Sequence, residues 1–224
     1  MIKAIIFDYD GTLSNRTTSA YNAIKHIITS NSKKVLSKIE LEAIVQDCLT
    51  WDQFGAFNRK FLFDNLRNKY DIDINVSDEA TYWYEHFCGF QVLYPKSIEV
   101  IERLQKEYKL AIITNGQSST QKKKIENVGL NNYISNIYVG GDFEHQKPHS
   151  QIYLQCCEDL GVDPSECLFV GDTFSTDILG AYRLNMKCVF LINDRNRPME
   201  FDEIYRIYNI EELCQVIDGI NQPA

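Results

Sequence analysis

Five short apolar runs punctuate the chain. Ile2 to Phe7 is rich in Ile and ends at Asp8-Tyr9-Asp10-Gly11. Leu110 to Ile113 ends at Thr114-Asn115-Gly116, Ile137 to Val139 is weaker, Leu168 to Val170 ends at Gly171-Asp172, and Val189 to Ile192 is the last. Runs this continuous suit strands buried on both faces, as in a parallel sheet. Helical patterns separate the last four. Ile98, Ile101 and Leu104 recur at helical spacing after Pro95. Ile125 and Val128 precede Gly129, and Ile152, Leu154 and Leu160 lead to Gly161, both suited to helix stops. Ile210, Leu213, Val216 and Ile217 predict a closing helix. The alternation predicts an α/β fold: a Rossmann-like, doubly wound parallel sheet.

From Leu13 to Leu93 the rhythm changes and no strand pattern occurs. Leu41, Ile44, Val45 and Cys48 recur at helical spacing, as do Phe54, Phe57, Phe61, Leu62 and Leu66. An ordinary connection is far shorter than this block. It is expected to be an all-helical cap over 14–93, inserted into a core made of 1–13 and 94–224. Trp51, Phe54, Phe57, Tyr82, Trp83 and Phe87 are expected mainly in the cap core. Arg16, Arg59, Lys60 and Arg67 are expected as solvated charges, although each is also a candidate for holding an anion.

The apolar fraction of 44% and the length of 224 residues allow a sizeable core. A net charge of -8 argues against a nucleic-acid partner, which calls for a basic face. It leaves room for an anionic substrate in a cleft with local cations or a metal. No run approaches the roughly 18 apolar residues of a membrane span, and the apolar start is too short for a signal peptide. A cytoplasmic protein is expected. Seven cysteines at scattered spacings, with no CxxC pair, read as buried free thiols. His26, His86, His145 and His149 show no metal-ligand spacing.

The chemistry gathers where the runs end. Asp8 and Asp10 leave the first strand together, and Gly11 lets the chain turn there. Ligands of open parallel sheets bind beyond the carboxyl ends of the strands, where strand order reverses. The other ends deliver Thr114 and Asn115, then Asp172, with Asp177 following as Gly-Asp-x-x-x-x-Asp; Gln146-Lys147-Pro148 precedes a helix. A calcium loop fits Asp8-Tyr9-Asp10-Gly11 poorly, because it needs a third ligand before its glycine and a helix ahead of it.

Taken in order, Asp-x-Asp-Gly-Thr-Leu, Thr-Asn-Gly, Lys-Pro and Gly-Asp-x-x-x-x-Asp resemble the haloacid dehalogenase (HAD) superfamily over nearly the whole chain. The helical insert resembles that family's C1-type cap. The resemblance implies a phosphatase that hydrolyses a small phosphorylated metabolite with Mg²⁺. It implies Asp8 as nucleophile and Asp10 as general acid/base. Mg²⁺ would lie on the carboxylates of Asp8 and Asp172 and the backbone carbonyl of Asp10. Thr114, with backbone N–H groups near Asn115, would bind the phosphoryl oxygens. Lys147 would offset charge near Asp8, and Asp177 would orient Lys147 or support the metal shell. Asp10 favours a phosphatase over a dehalogenase, because an alkoxide leaving group needs a proton and a halide does not. A phosphomutase, or a non-enzymatic module that binds small phosphates, remains an alternative at this point.

Overall fold

A computed structural model describes residues 1–55, 58–193 and 202–221. Phe57 lies outside them. Strand β1 (Ala4–Phe7) leads into four helices: α1 (Arg16–Asn31), α2 (Lys38–Asp52), α3 (Arg59–Tyr70) and α4 (Glu79–Gly89). Alternation then begins with α5 (Ser97–Leu104), β2 (Lys109–Thr114), α6 (Ser118–Asn127), β3 (Asn136–Val139) and α7 (Ser150–Leu160). It continues through β4 (Cys167–Gly171), α8 (Leu179–Tyr182), β5 (Lys187–Leu191), β6 (Tyr205–Ile207) and α9 (Leu213–Asn221). The chain forms two compact units, Met1–Ser14 with Leu93–Ala224, and Asn15–Val92.

In the first unit the strands form one sheet in the order β3-β2-β1-β4-β5-β6, with every neighbouring pair parallel. The chain steps outward from β1 to β2 and β3, then returns to the other side of β1 for β4. Strand order therefore reverses between β1 and β4. Side chains alternate across the sheet. Ile5 and Phe7 join Ile125 of α6 and Leu213 and Ile217 of α9 on one face. Ala4 and Ile6 join Ile152 and Cys156 of α7 on the other. Both faces are covered, which is why the strands read as unbroken apolar runs. Strand β6 carries no such run. Of its three residues only Ile207 is buried, so it escapes a search for apolar stretches. All seven cysteines are free and buried. No helix among the described residues is long and apolar enough to cross a membrane.

Among its described residues, the only regular elements of the second unit are helices. Ile24, Ile27 and Ile28 of α1 pack with Ile44 and Val45 of α2, Leu62 and Leu66 of α3, and Trp83 and Phe87 of α4. Ser37 and Glu40 form a reciprocal capping box that starts α2. The helical spacing expected from Phe54 onward breaks. Helix α2 stops at Asp52, Gln53 and Phe54 take left-handed φ values of 41° and 56°, and Asn58 caps a new helix by accepting from the Lys60 N–H. Phe54 and Phe61 are exposed.

Two of the four cations expected in solvent lie inside this unit. Asp52 is buried and accepts from Arg16 Nη1 at 2.6 Å and Arg16 Nη2 at 3.3 Å, and Arg59 Nη1 also donates to it. The Arg16 guanidinium lies 5.3 Å from the Phe87 ring centroid and that of Arg59 lies 4.7 Å from Trp83. A planar guanidinium can stack on an aromatic face while its edge holds a carboxylate, so both arginines are buried at low cost. Lys60 stays largely exposed, pairing with Asp64, and Arg67 is half-exposed among Asp64, Asp73 and Glu79.

Candidate active site

The reversal point holds the carboxylates. Strand β1 ends at Phe7, and the Asp8 N–H donates to Val170 O of β4 at 2.9 Å. The loop then folds tightly: the N–H groups of Thr12, Leu13 and Ser14 all donate to Tyr9 O. Gly11 sits in that loop at φ 89°, where a side chain would be strained. Asp8 follows β1 directly and Asp172 follows β4 directly. Their carboxylates and that of Asp177 offer oxygens within 4.8 Å of one another, all three residues buried.

Lys147 fills the space between two of them. Its ammonium donates to Asp8 Oδ1 at 2.7 Å, Asp177 Oδ1 at 2.7 Å and Ile113 O at 2.8 Å. An ammonium has three protons, and all three are used. The loop behind Lys147 is pinned by Asn115, which donates from Nδ2 to Lys147 O at 3.0 Å and accepts the Lys147 N–H at 2.9 Å. Asp177 is fixed in turn. Its Oδ2 accepts the Thr173 N–H at 2.9 Å, and it packs so closely on Gly171 that a Cβ there would collide with it.

Burial dominates the titration of Asp8. It pushes the carboxyl up to about 7, against the opposing pull of Lys147 and with help from the Asp177 charge. Burial alone would lower the Lys147 pKa, but the carboxylates of Asp177 and Asp8 outweigh it and raise the value. Three carboxylates facing one ammonium leave negative charge uncompensated when all are ionised. Asp8 Oδ2 accepts no hydrogen bond among the described residues. Hard oxygen donors with excess negative charge are the donor set a divalent cation such as Mg²⁺ favours. Asp172 is held by Asn193 Nδ2 at 2.9 Å and by the Thr12 hydroxyl at 3.4 Å.

Asp10 stands apart from this group. Lys124 Nζ donates to both of its carboxylate oxygens, at 2.5 Å to Oδ1. Gln121 Nε2 donates to Asp10 Oδ2 at 2.8 Å and to Thr114 Oγ1 at 2.7 Å. His149 is exposed and its ring lies tilted against that of His145 at 4.6 Å between centroids. Lys124, Gln121, Thr12 and Asn193 were not singled out by sequence pattern. A signal for the first two existed: Ile125 and Val128 mark the inward face of α6, and Gln121 and Lys124 lie on it.

The family model described as Haloacid dehalogenase-like hydrolase matches residues 5–191. This chain belongs to the haloacid dehalogenase-like hydrolases. Among its relatives, N-acylneuraminate-9-phosphatase of Mus musculus is 27% identical, over 97% of this chain and 95% of that protein. Glyceraldehyde 3-phosphate phosphatase of Methanocaldococcus jannaschii is 28% identical, over 99% of this chain and all of that protein. The same hydrolase fold recurs in the putative HAD-hydrolase YfnB from Bacillus subtilis, solved bound to magnesium. That match has a TM-score of 0.75 at 21% identity and covers 97% of this chain and 99% of that one. A HAD phosphatase from Thermococcus onnurineus matches with a TM-score of 0.66 at 25% identity, over 97% and 99% of the two chains.

Proposed function

We propose that this hydrolase is a Mg²⁺-dependent phosphatase acting on a small phosphorylated metabolite. The core would be 1–13 with 94–224, and 14–93 its cap. The observation that carries the reading is the setting of Asp8. One of its oxygens is locked by a fully committed Lys147 ammonium, and the other accepts no hydrogen bond among the described residues, at the point where strand order reverses.

Asp8 Oδ2 attacks phosphorus and the bond to the leaving oxygen breaks. That oxygen takes the proton of the Asp10 carboxyl. The product on the enzyme is an aspartyl phosphate. Asp10, now a carboxylate, accepts a proton from water as the water attacks phosphorus. The bond from Asp8 to phosphorus breaks, and inorganic phosphate and the original carboxylate result. Thr114 and backbone N–H groups near Asn115 hold the phosphoryl oxygens, and Lys147 counters their charge. Asp177 orients Lys147. The carboxylates of Asp8 and Asp172 and the backbone carbonyl of Asp10 would hold Mg²⁺, whose chemistry when bound is to relieve repulsion between an anionic nucleophile and an anionic phosphate.

Two relatives are named for phosphorylated sugars or sugar-like acids, which supports small phosphomonoesters as the substrate class. The test is inorganic phosphate release from a panel of phosphomonoesters, with Mg²⁺ and with EDTA. Release with Mg²⁺ that EDTA abolishes is expected. Absence of release from every compound overturns the reading.

A further inference from the structure

Helix α6 carries Gln121-Lys122-Lys123-Lys124 in succession, and its geometry sends those lysines to different places. Successive helical positions turn by about 100°. Lys122 reaches out to Asp142 at 2.9 Å, and Lys123 is exposed. Lys124 turns inward and is only 2% exposed. A buried ammonium is costly unless paired and hydrogen-bonded. Here its partners are the two oxygens of Asp10 and, at 2.9 Å, Gln121 Oε1. The Tyr9 ring lies 5.2 Å from Lys124 Nζ, and Tyr9 Oη donates to the Lys124 backbone carbonyl at 3.3 Å. Rotation of the lysine tip is therefore resisted from several sides.

Gln121 makes the arrangement directional. Its Oε1 accepts from Lys124, which fixes which end of the amide carries the protons. Its Nε2 then faces Asp10 Oδ2 and Thr114 Oγ1 together. One amide thus ties the carboxylate after β1 to the hydroxyl at the end of β2. The Asp10 side chain is 23% exposed while that of Lys124 is 3% exposed. The cation lies behind the carboxylate, and the carboxylate keeps an accessible edge.

We propose that Lys124 and Gln121 are positioning residues for Asp10, holding its carboxyl at the reach and angle needed to meet the leaving oxygen, in register with Thr114. This rests on the reading of Asp10 as the general acid/base. Lys147 holds the nucleophile and Lys124 holds the acid, so each carboxyl of the Asp8-Tyr9-Asp10 segment has its own buried lysine. A general acid must approach to about 2.6–3.2 Å of its target, and misplacement by about 1 Å can cost about 10²-fold in rate.

The experiment compares two substrates that differ in their need for a proton. An alkyl phosphate releases a basic alkoxide; p-nitrophenyl phosphate releases a stable phenolate. kcat/KM follows the step in which the leaving group departs. Phosphate release is measured for both on wild type, Asp10→Asn, Lys124→Met, Lys124→Arg and Gln121→Leu, with melting temperatures alongside. Lys124→Met is expected to lose about 10-fold or more beyond any loss on p-nitrophenyl phosphate when acting on the alkyl ester, following Asp10→Asn. Lys124→Arg is expected to recover part of it. Equal losses on the two substrates, or no loss, would overturn the assignment, because a purely structural or purely electrostatic role acts on both alike. If Lys124→Met does not fold, Gln121→Leu decides by the same ratio. Failure of wild type to release phosphate from any phosphomonoester overturns the phosphatase reading itself, and the assignment with it.

Discussion

Around Lys147 one ammonium faces carboxylates, whereas around Asp52 one carboxylate faces two guanidiniums. Both clusters are buried, and both rest on aromatic rings: Phe169 lies 5.5 Å from Lys147 Nζ, and Phe87 and Trp83 stack on Arg16 and Arg59. They differ in what remains unsatisfied. Both Asp52 oxygens are taken by arginines of its own unit. Asp8 keeps one oxygen that accepts no hydrogen bond among the described residues, beside further negative charge from Asp172. A cluster that closes on itself supports a fold; one that leaves excess negative charge is a candidate for binding ligands and for chemistry.

The largest expected effect breaks the chemistry without breaking the fold. Asp8→Asn should lower phosphate release by about 10³-fold or more, and its melting temperature near pH 8 should equal or exceed that of wild type, because one of the crowded negative charges is gone. Near-normal turnover would remove Asp8 from the mechanism. Asp52→Ala should behave in the opposite way. It leaves two buried guanidiniums facing each other, at a cost of about 3–5 kcal/mol by denaturant titration. A loss below about 1 kcal/mol would show that the arginines reach water when freed.

Acid should separate the clusters next. The folded pKa of Asp8 is raised to about 7, so the folded state holds an extra proton from the unfolded value, near about 3.9, up to that pH. Without divalent cation, stability from this site is present below the window and lost as pH rises through it. A cation that binds the carboxylate form should therefore raise the melting temperature more at pH 8 than at pH 5. An equal rise at both would exclude Asp8 as a ligand. For Asp52, burial is outweighed by Arg16 and then Arg59, so its pKa is lowered. Its contribution is present above the unfolded carboxylate value and lost as pH falls through the folded one, and Asp52→Asn should blunt that acid sensitivity. The smallest effect is at Arg67, which is 40% exposed despite three acidic partners. Arg67→Ala should cost no more than about 1 kcal/mol, since burial rather than the number of partners decides the worth of an ion pair.

Much of the sheet could be read in the sequence, because strands covered on both faces must be apolar throughout, as at Ile5, Ile6 and Phe7. Strand β6 could not, since a single buried Ile207 in three residues leaves no pattern. The candidate site residues stood out because several of them follow strands abruptly, as Asp8 follows Phe7. Lys124 and Arg59 were harder to read. Each is charged and lies in a polar stretch, and only the rotation of its helix decides whether it meets water or a carboxylate. The break between α2 and α3 was hidden as well, because Phe54 and Phe61 are spaced as in one helix although Phe54 itself sits in a left-handed turn.

The crossing between the two units has a further consequence. Ser14 forms an antiparallel bridge with Leu93, and Leu13 O accepts from Tyr94 N at 2.9 Å and from Ser97 Oγ at 3.2 Å. The sheet-bearing chain thus leaves and re-enters at one narrow doorway, already paired as the two stems of a hairpin. A turn of about two residues suffices to join such stems. Removing or lengthening the segment from 15 to 92 would therefore leave the order of every described strand unchanged.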